Sequence, residues 1–156
     1  MIFNRIVVAF DGSELAFSAL RKAVEFAQND SKVQIHIVNV IIIDTQTYMS
    51  YMSPFGGEAS YVDPEQVKEI NDERVMSKKA ELEATITDVI ASVKDQVVIE
   101  FVFGVAPADE IISYAEDHDA DCIIMGCRGL GAVRGMLGSV SYAVIRNAGI
   151  SVLIVK

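Results

Sequence analysis

The chain has 156 residues, of which 51% are hydrophobic and 22% charged, and its formal net charge is −9. This length and composition predict a single globular domain over residues 1–156 and exclude a disordered chain. The acidic balance argues against nucleic acid as a partner, because affinity for nucleic acid comes largely from Lys and Arg on phosphates.

The sequence has none of the features of a membrane span or a secretory signal. Its longest apolar run, residues 35–43, is interrupted by His36 and Asn39 and is shorter than the roughly 20 residues that cross a membrane. The N-terminus lacks a basic start followed by a long apolar segment. The two cysteines, Cys122 and Cys127, do not suggest a disulfide framework, so we expect a cytoplasmic protein without membrane association.

The first part of the chain alternates strand and helix patterns. Residues 4–10 form a β-branched apolar run, which predicts a strand ending at the turn signal Asp11-Gly12. A helix is predicted from Ser13 to Asp30, since apolar residues recur there at spacings of three and four. Residues 33–42 are apolar almost throughout, as expected for a strand buried on both faces of a parallel sheet. The stripe that we expect the helix to bury consists of Ala16, Leu20, Ala23, Val24 and Ala27.

Residues 43–63 show no clean period and predict a long loop. Two interpretations of its Tyr and Met side chains stay open: they cap a ligand, or they cover the sheet edge or are partly disordered. Pro64, after Asp63 as the cap, then predicts a helix that runs to about Val93. Its predicted buried face consists of Val67, Ile70, Val75, Leu82, Ile86, Val89, Ile90 and Val93.

The last part of the chain continues the alternation. Residues 97–103 predict a third strand, residues 107–118 a helix and residues 121–126 a fourth strand. A glycine-rich loop follows, then a short helix that Ser139 opens, and residues 150–155 form a fifth strand. Strands joined by helical crossovers predict a parallel sheet with helices on both faces. In such sheets ligands bind beyond the C-terminal ends of the strands.

The glycine-rich loop is the most informative segment of the sequence. Five of the ten glycines lie between Gly126 and Gly138. Glycine allows positive φ and leaves no Cβ in the way of a ligand, and the following helix start offers N–H groups to an anion. After Asp121 the sequence has no Asp or Glu but keeps four basic residues, Arg128, Arg134, Arg146 and Lys156. We interpret the loop as a phosphate site; the alternative is a flexible connection with incidental arginines.

Asp11 ends the first predicted strand at the same edge of the sheet. Its carboxylate could accept hydrogen bonds from ribose hydroxyls. The alternative is a turn or helix-cap role with Gly12 and Ser13, where Asp is common. Taken together with the phosphate loop, the position favours ribose.

Motifs of several enzyme classes are absent from the sequence. The Gly-Lys-Ser/Thr of a Walker-type loop does not occur. Gly129-Leu-Gly131 with Gly135 echoes a dinucleotide fingerprint, but it follows the fourth strand and has no acidic residue downstream. His36 and His118 are isolated, so there is no metal-ligand spacing and no base beside the serines of the loop.

Several segments of the sequence, taken together, make the chain resemble the universal stress protein family over essentially its whole length. The resemblance rests on residues 6–13, Gly104 with Pro107, residues 124–129 continuing to 138–141, and residues 151–156. The ATP-binding branch of that family carries Gly-x2-Gly-x9-Gly-Ser/Thr. Here the spacing is Gly126-x2-Gly129-x8-Gly138-Ser139, so the long gap is one residue shorter.

The resemblance implies a ligand and a set of site residues. The ligand is ATP or AMP, with Mg²⁺ as a candidate companion, although the loop's lack of a metal-binding carboxylate favours AMP or ADP. Asp11 would contact ribose and the backbone of Val40 would contact adenine, while Ala9 and Met125 would line the base and ribose pocket. The phosphates would be surrounded by Gly126, Gly129, Gly138, Ser139, Val140 and Ser141, and Arg128 or Arg134 would supply the positive charge.

The resemblance also implies a fold, a role and an assembly. The fold is α/β and Rossmann-like, similar to the adenine nucleotide alpha hydrolases, with an open five-stranded parallel sheet in the order 3-2-1-4-5. The role is a sensor or regulator in the stress response; the alternatives are a slow ATPase and a nucleotide-free dimeric interaction module. A homodimer is expected through the apolar edge strand Val152–Val155, because an uncovered edge invites a second copy.

Overall fold

The computed structural model describes residues 3–42, 64–130 and 135–156, apart from the side chains of residues 64–72 and 74. The long loop predicted over residues 43–63, its two interpretations and the cap Asp63 lie outside the described residues. Gly131 and Arg134 of the glycine-rich loop also lie outside them.

Five strands alternate with helices along the chain, as the sequence predicts. All five strands agree with the predicted bounds to within one residue at each end. In chain order the elements are β1 (Arg5–Ala9), α1 (Glu14–Asn29), β2 (Gln34–Ile42), α2 (Pro64–Ile90), a 3₁₀ helix (Ala91–Gln96), β3 (Val97–Gly104), α3 (Pro107–Asp117), β4 (Cys122–Gly126), α4 (Ser139–Asn147) and β5 (Ser151–Val155).

The strands form one parallel sheet in the order β3-β2-β1-β4-β5, which confirms the predicted fold class and order. β1 lies at the centre, with Val7 opposite His36 of β2 and Ile123 of β4. The chain leaves β1 toward β2 on one side and returns to β4 on the other. The C-terminal ends of these three strands therefore frame the point where the strand order reverses.

Each face of the sheet packs against its own pair of helices. Alternate residues such as Ile6, Val8 and Ile124 pack on the face that α1 and α2 cover. The residues between them, such as Val7 and Ile123, pack on the face that α3 and α4 cover. Because both faces are buried, the central strands read as continuous apolar runs in the sequence.

The helices largely match their predicted faces and ends. The predicted stripe of α1 is buried, with Ala19 added to it, and the Ser13 hydroxyl oxygen caps the helix by accepting from the Ala16 N–H at 3.2 Å. On α2, Leu82, Ile86 and Ile90 are buried. Among the described residues, no helix has both the length and the apolar character that a membrane crossing needs.

One predicted helix boundary is wrong. The apolar pattern predicts that α2 continues to Val93, but the α-helix ends at Ile90 and a 3₁₀ helix follows. Val93 is buried with non-helical φ and ψ of −133° and 20°. The amide of Gln96, at the end of this turn, donates to the carbonyls of Ala27, Asp30 and Val33 and so ties the turn to the end of α1. That tertiary contact has no periodic signal in the sequence.

Candidate functional site

A cavity of about 510 Å³ opens at the C-terminal edge of the sheet, between the ends of β1, β2 and β4. Its volume lies within the range of roughly 300–1,000 Å³ that small-molecule sites occupy. All eleven residues assigned to the site from the sequence line this cavity: Ala9, Asp11, Val40, Met125, Gly126, Arg128, Gly129, Gly138, Ser139, Val140 and Ser141.

One wall of the cavity is apolar. Ala9, Val40 and Met125 come from three neighbouring strands and lie on the same face of the sheet. Val38, two residues before Val40, and Ile111 of α3 complete this wall, and neither was assigned from the sequence. Val38 could have been found, because residues two apart on a strand share a face. A wall of this kind suits a flat apolar group.

The opposite end of the cavity is the start of α4. Gly138 occupies the N-cap position, and the helix begins at Ser139. The first N–H groups of a helix lack intrahelical partners, and Gly138 has no side chain that could accept from them. The amides of Ser139 and Val140 therefore offer hydrogen-bond donors at the positive end of the helix dipole.

Two backbone hydrogen bonds of Cys127, the residue after β4, join it to the end of β5 and to the N-cap of α4. The Cys127 N–H donates to the Val155 carbonyl at 2.8 Å, and the Gly138 N–H donates to the Cys127 carbonyl at 2.8 Å. A Cβ added at Gly138 would lie 3.1 Å from the Cα of Arg128. The loop thus leaves β4 and returns to the same point, so Arg128 and the start of α4 lie at one mouth of the cavity.

The loop requires glycine at its different positions for different physical reasons. At Gly126 a Cβ would lie 2.7 Å from the Cβ of Leu15, so glycine lets α1 pack closely against the end of β4. Positive φ, the reason expected from the sequence, occurs among the described loop glycines at Gly135, with φ of 87°. Close approach of the backbone is the reason at Gly126, Gly129 and Gly138.

Ser141 lines the cavity, but its hydroxyl is engaged with the protein. The side chain is buried, and Oγ donates to the carbonyl of Gly126 at 2.9 Å. This bond fixes the first turn of α4 to the end of β4.

Asp11 satisfies the turn interpretation and also lines the cavity. One carboxylate oxygen accepts from the Ser13 N–H at 2.9 Å, as in a turn that precedes a helix, and Gly12 has a positive φ of 83°. The other oxygen accepts from the Leu130 N–H at 3.2 Å. The carboxylate is exposed to the cavity between these two bonds.

Asn39 is a lining residue that the sequence reasoning missed. Its amide donates to the Phe10 carbonyl at 2.8 Å and so fixes the ends of β1 and β2 to each other. A polar residue inside a buried parallel strand was the available signal. The other unassigned lining residues include Ser13, Ile42, Pro107 and Leu130.

Few of the described residues that line the cavity carry an ionisable side chain. Of the described residues that line it, Asp11 and Arg128 are the charged ones, and none is His or Cys. Within the described ranges, no group of three or more His, Cys, Asp or Glu residues could hold a metal ion. Burial raises the pKa of the Cys122 thiol to about 11, so this cysteine stays protonated in the core.

The chain is similar to known proteins over nearly its whole length. A model of the universal stress protein family matches residues 2–156. The chain is 35% identical to universal stress protein Sll1388 of Synechocystis, over 100% of this chain and 99% of that protein.

Solved structures share the fold. The structure of hypothetical protein MJ0577, from Methanocaldococcus jannaschii, matches with a TM-score of 0.70 and 26% identity, over 100% of this chain and 97% of that one. A universal stress protein from Archaeoglobus fulgidus, solved in complex with dAMP, matches with a TM-score of 0.57 and 24% identity over 100% of both chains.

Proposed function

The chain belongs to the universal stress protein family, and from this membership we propose that it binds an adenine nucleotide, ATP or AMP, in the cavity at the C-terminal sheet edge. We infer further that it acts in the cytoplasm as a nucleotide-dependent sensor or regulator of the stress response.

The observation that supports this proposal is the convergence of three chemistries in one cavity. An apolar wall suits a purine, a carboxylate beside it suits ribose hydroxyls, and the amides at the start of α4 with Arg128 suit phosphate. The dAMP complex of the Archaeoglobus protein is a fact about that protein, and at 24% identity its likeness to this chain concerns the fold. The family membership suggests the ligand, and this chain's own cavity supports that choice.

Each part of the nucleotide has a candidate partner. In this proposal Ala9 and Met125 flank the base, and the backbone of Val40 contacts the edge of adenine. Asp11 accepts from the ribose. The phosphates lie against Arg128 and the backbone of the loop and helix residues Gly126, Gly129, Gly138, Ser139, Val140 and Ser141.

Any Mg²⁺ in the site would depend on the nucleotide itself. Asp11 is the one carboxylate among the described residues that line the cavity. Mg²⁺ needs about six oxygen ligands, so phosphate oxygens and water would supply most of them. This arrangement favours a ligand of lower charge, such as AMP, over a metal-bound triphosphate.

Isothermal titration with ATP, ADP and AMP tests the proposal. We expect saturable heat with at least one of them, and mass spectrometry of the purified protein should identify any nucleotide that it retains. Gly129→Val should weaken the binding, because its side chain would displace the Asp11 carboxylate, whereas Gly149→Val, where an added Cβ meets nothing within 4 Å, should leave the binding unchanged. The absence of heat at millimolar nucleotide would refute the proposal.

The cavity carboxylate is the one observation that favours a second candidate, a slow ATPase. Asp11 could orient water or a metal ion, although no described lining residue is a histidine that could act as base. Single-turnover hydrolysis that is lost in Asp11→Asn, while ATP still binds, would support this activity. Hydrolysis that persists in the variant would exclude Asp11 as its catalytic residue.

A homodimer through β5 is also part of the proposal. β5 is an edge of the sheet and pairs with β4 on one side. Its residues Val152–Val155 are half-buried and apolar, and an exposed edge of this kind favours pairing with a second copy. A dimer that forms without any nucleotide binding would instead indicate an interaction module.

A further inference from the structure

The carboxylate of Asp11 joins two segments that lie far apart in the sequence. Its Oδ1 accepts from the Ser13 N–H at 2.9 Å, at the start of α1. Its Oδ2 accepts from the Leu130 N–H at 3.2 Å, in the glycine-rich loop 119 residues further along the chain. The end of β1 and the loop after β4 are therefore held together by one side chain.

The contact with Asp11 depends on the absence of a Cβ at Gly129. A Cβ added there would overlap Oδ2 of Asp11, so any other residue would displace the carboxylate from its present position. On its other side the loop meets Gly138, whose N–H donates to the Cys127 carbonyl at 2.8 Å. The start of the loop is thus anchored at Cys127 by Gly138 and at Leu130 by Asp11.

Electrostatics alone would make Asp11 unfavourable at this position. A carboxylate beside an anion site repels phosphate, so Coulomb's law predicts tighter phosphate binding once the charge is removed. A hydrogen bond from a backbone N–H to a carboxylate is, however, stronger than one between neutral groups. It restricts the loop before a ligand arrives, which lowers the ordering cost of binding.

We propose that Asp11 is a positioning residue for the phosphate loop. Through the Leu130 N–H it holds the backbone of Gly129 and Leu130 against the end of β1, and so it raises the affinity for phosphate although its own charge opposes phosphate. This role rests on the proposed function and is separate from any contact of Asp11 with ribose.

The ratio of the dissociation constants of adenosine and ATP isolates the role of Asp11 in phosphate binding. Loss of a ribose contact in Asp11→Ala weakens both ligands alike and cancels in the ratio. Loss of loop positioning weakens ATP alone, so the ratio should fall about tenfold, the effect of one hydrogen bond to a charged group. Simple repulsion predicts the opposite sign. A ratio that stays the same or rises would overturn the inference.

Hydrogen exchange in the ligand-free protein tests the contact without any nucleotide. The Leu130 amide should exchange at least about tenfold faster in Asp11→Ala and in Gly129→Ala than in the wild type, as expected for a locally opened segment. Gly149→Ala, which meets nothing within 4 Å, is the matched control and should leave the rate unchanged. Equal exchange rates of the Leu130 amide in the wild type, Asp11→Ala and Gly129→Ala would overturn the inference.

The two experiments separate this inference from the proposed function. A wild-type protein that binds neither ligand would refute the nucleotide site, and the exchange rates would still decide whether Asp11 orders the loop. Gly129→Ala reaches the same contact from the loop side, so the test holds if Asp11→Ala does not fold.

Discussion

On the face of the sheet that α3 and α4 cover, His36, Tyr114 and His118 form a polar cluster in which the pKa of His36 is lowered. His36 Nδ1 lies 2.8 Å from the Tyr114 hydroxyl, and the Tyr114 ring stacks on His118 with centroids 3.9 Å apart. Burial lowers the pKa of His36, and the charges of Arg5 and His118 lower it further. Burial, with the nearby Glu100 charge, raises the pKa of Tyr114 to about 12, so the phenol stays neutral.

The lowered pKa of His36 has a defined consequence for stability. In the unfolded chain His36 gains its proton near its ordinary pKa of 6.5, whereas in the folded protein it stays neutral to lower pH. The stability contributed by the neutral ring is therefore complete above about pH 6.5 and is lost as the pH falls toward the folded value.

His36→Gln should flatten this dependence, because Gln keeps a hydrogen-bonding group and cannot titrate. Urea unfolding of the wild type and the variant between about pH 7.5 and pH 5 measures the effect. We expect the free energy of unfolding of the wild type to fall more steeply over this range. Parallel curves for the two proteins would contradict the role of His36.

At the scale of elements, the contact between α1 and β4 depends on Gly126. The Cβ of an alanine there would lie 2.7 Å from the Cβ of Leu15, and both atoms belong to backbone-anchored positions that cannot rotate away. Gly126→Ala should therefore push α1 from the sheet and lower the free energy of unfolding by about 1–3 kcal/mol, the usual cost of overpacking.

Chemical denaturation checks this prediction, with Gly149→Ala as the control. Gly149 meets nothing within 4 Å of an added Cβ, so its alanine variant should change stability by less than about 1 kcal/mol. Equal stability of the two variants would show that α1 adjusts to the extra methyl group.

The strands could be predicted from the sequence because burial on both faces of the sheet requires a local run of apolar residues. The runs in β1, β2 and β4 are apolar almost throughout, and the structure has all five strands within one residue of the predicted bounds. The end of α2 could not be predicted, because the apolar spacing continues past Ile90 to Val93. The contact of Gln96 with the end of α1, which secures the 3₁₀ turn, joins residues more than sixty positions apart.

The cavity could be located from the sequence because its lining follows from topology and from one glycine-rich loop. Residues at the C-terminal ends of β1, β2 and β4 must meet at one edge once the sheet is parallel. The hydrogen bond of Asp11 to the Leu130 amide and that of Ser141 to the Gly126 carbonyl could not be foreseen. Both depend on the path of the backbone, which residue types alone do not specify.

For the whole molecule, the exposed edge of β5 is the feature that bears on assembly. The Val155 carbonyl accepts from the Cys127 N–H, so Val155 faces β4. Since backbone groups alternate in direction along a strand, Val152 and Ile154 direct their N–H and C=O groups away from the sheet. These are the groups that a second copy would use.

Ile154→Pro should therefore separate the proposed dimer without unfolding the protomer. Proline removes an outward N–H and is tolerated on edge strands when the lost donor faces away from the sheet. Sedimentation should show a monomer for the variant and a dimer for the wild type, with circular dichroism unchanged. A variant that stays dimeric would place the interface elsewhere.

The bond between Cys127 and Val155 also bears on how the protein is made. The loop after β4 is anchored by the last strand of the chain, and its other anchor, Asp11, lies 119 residues before Leu130. A ribosome must therefore synthesise the chain through β5 before the cavity can close around anything. A ligand of this cavity would therefore stabilise only chains in which all five strands are present, and it would not assist the folding of shorter nascent chains.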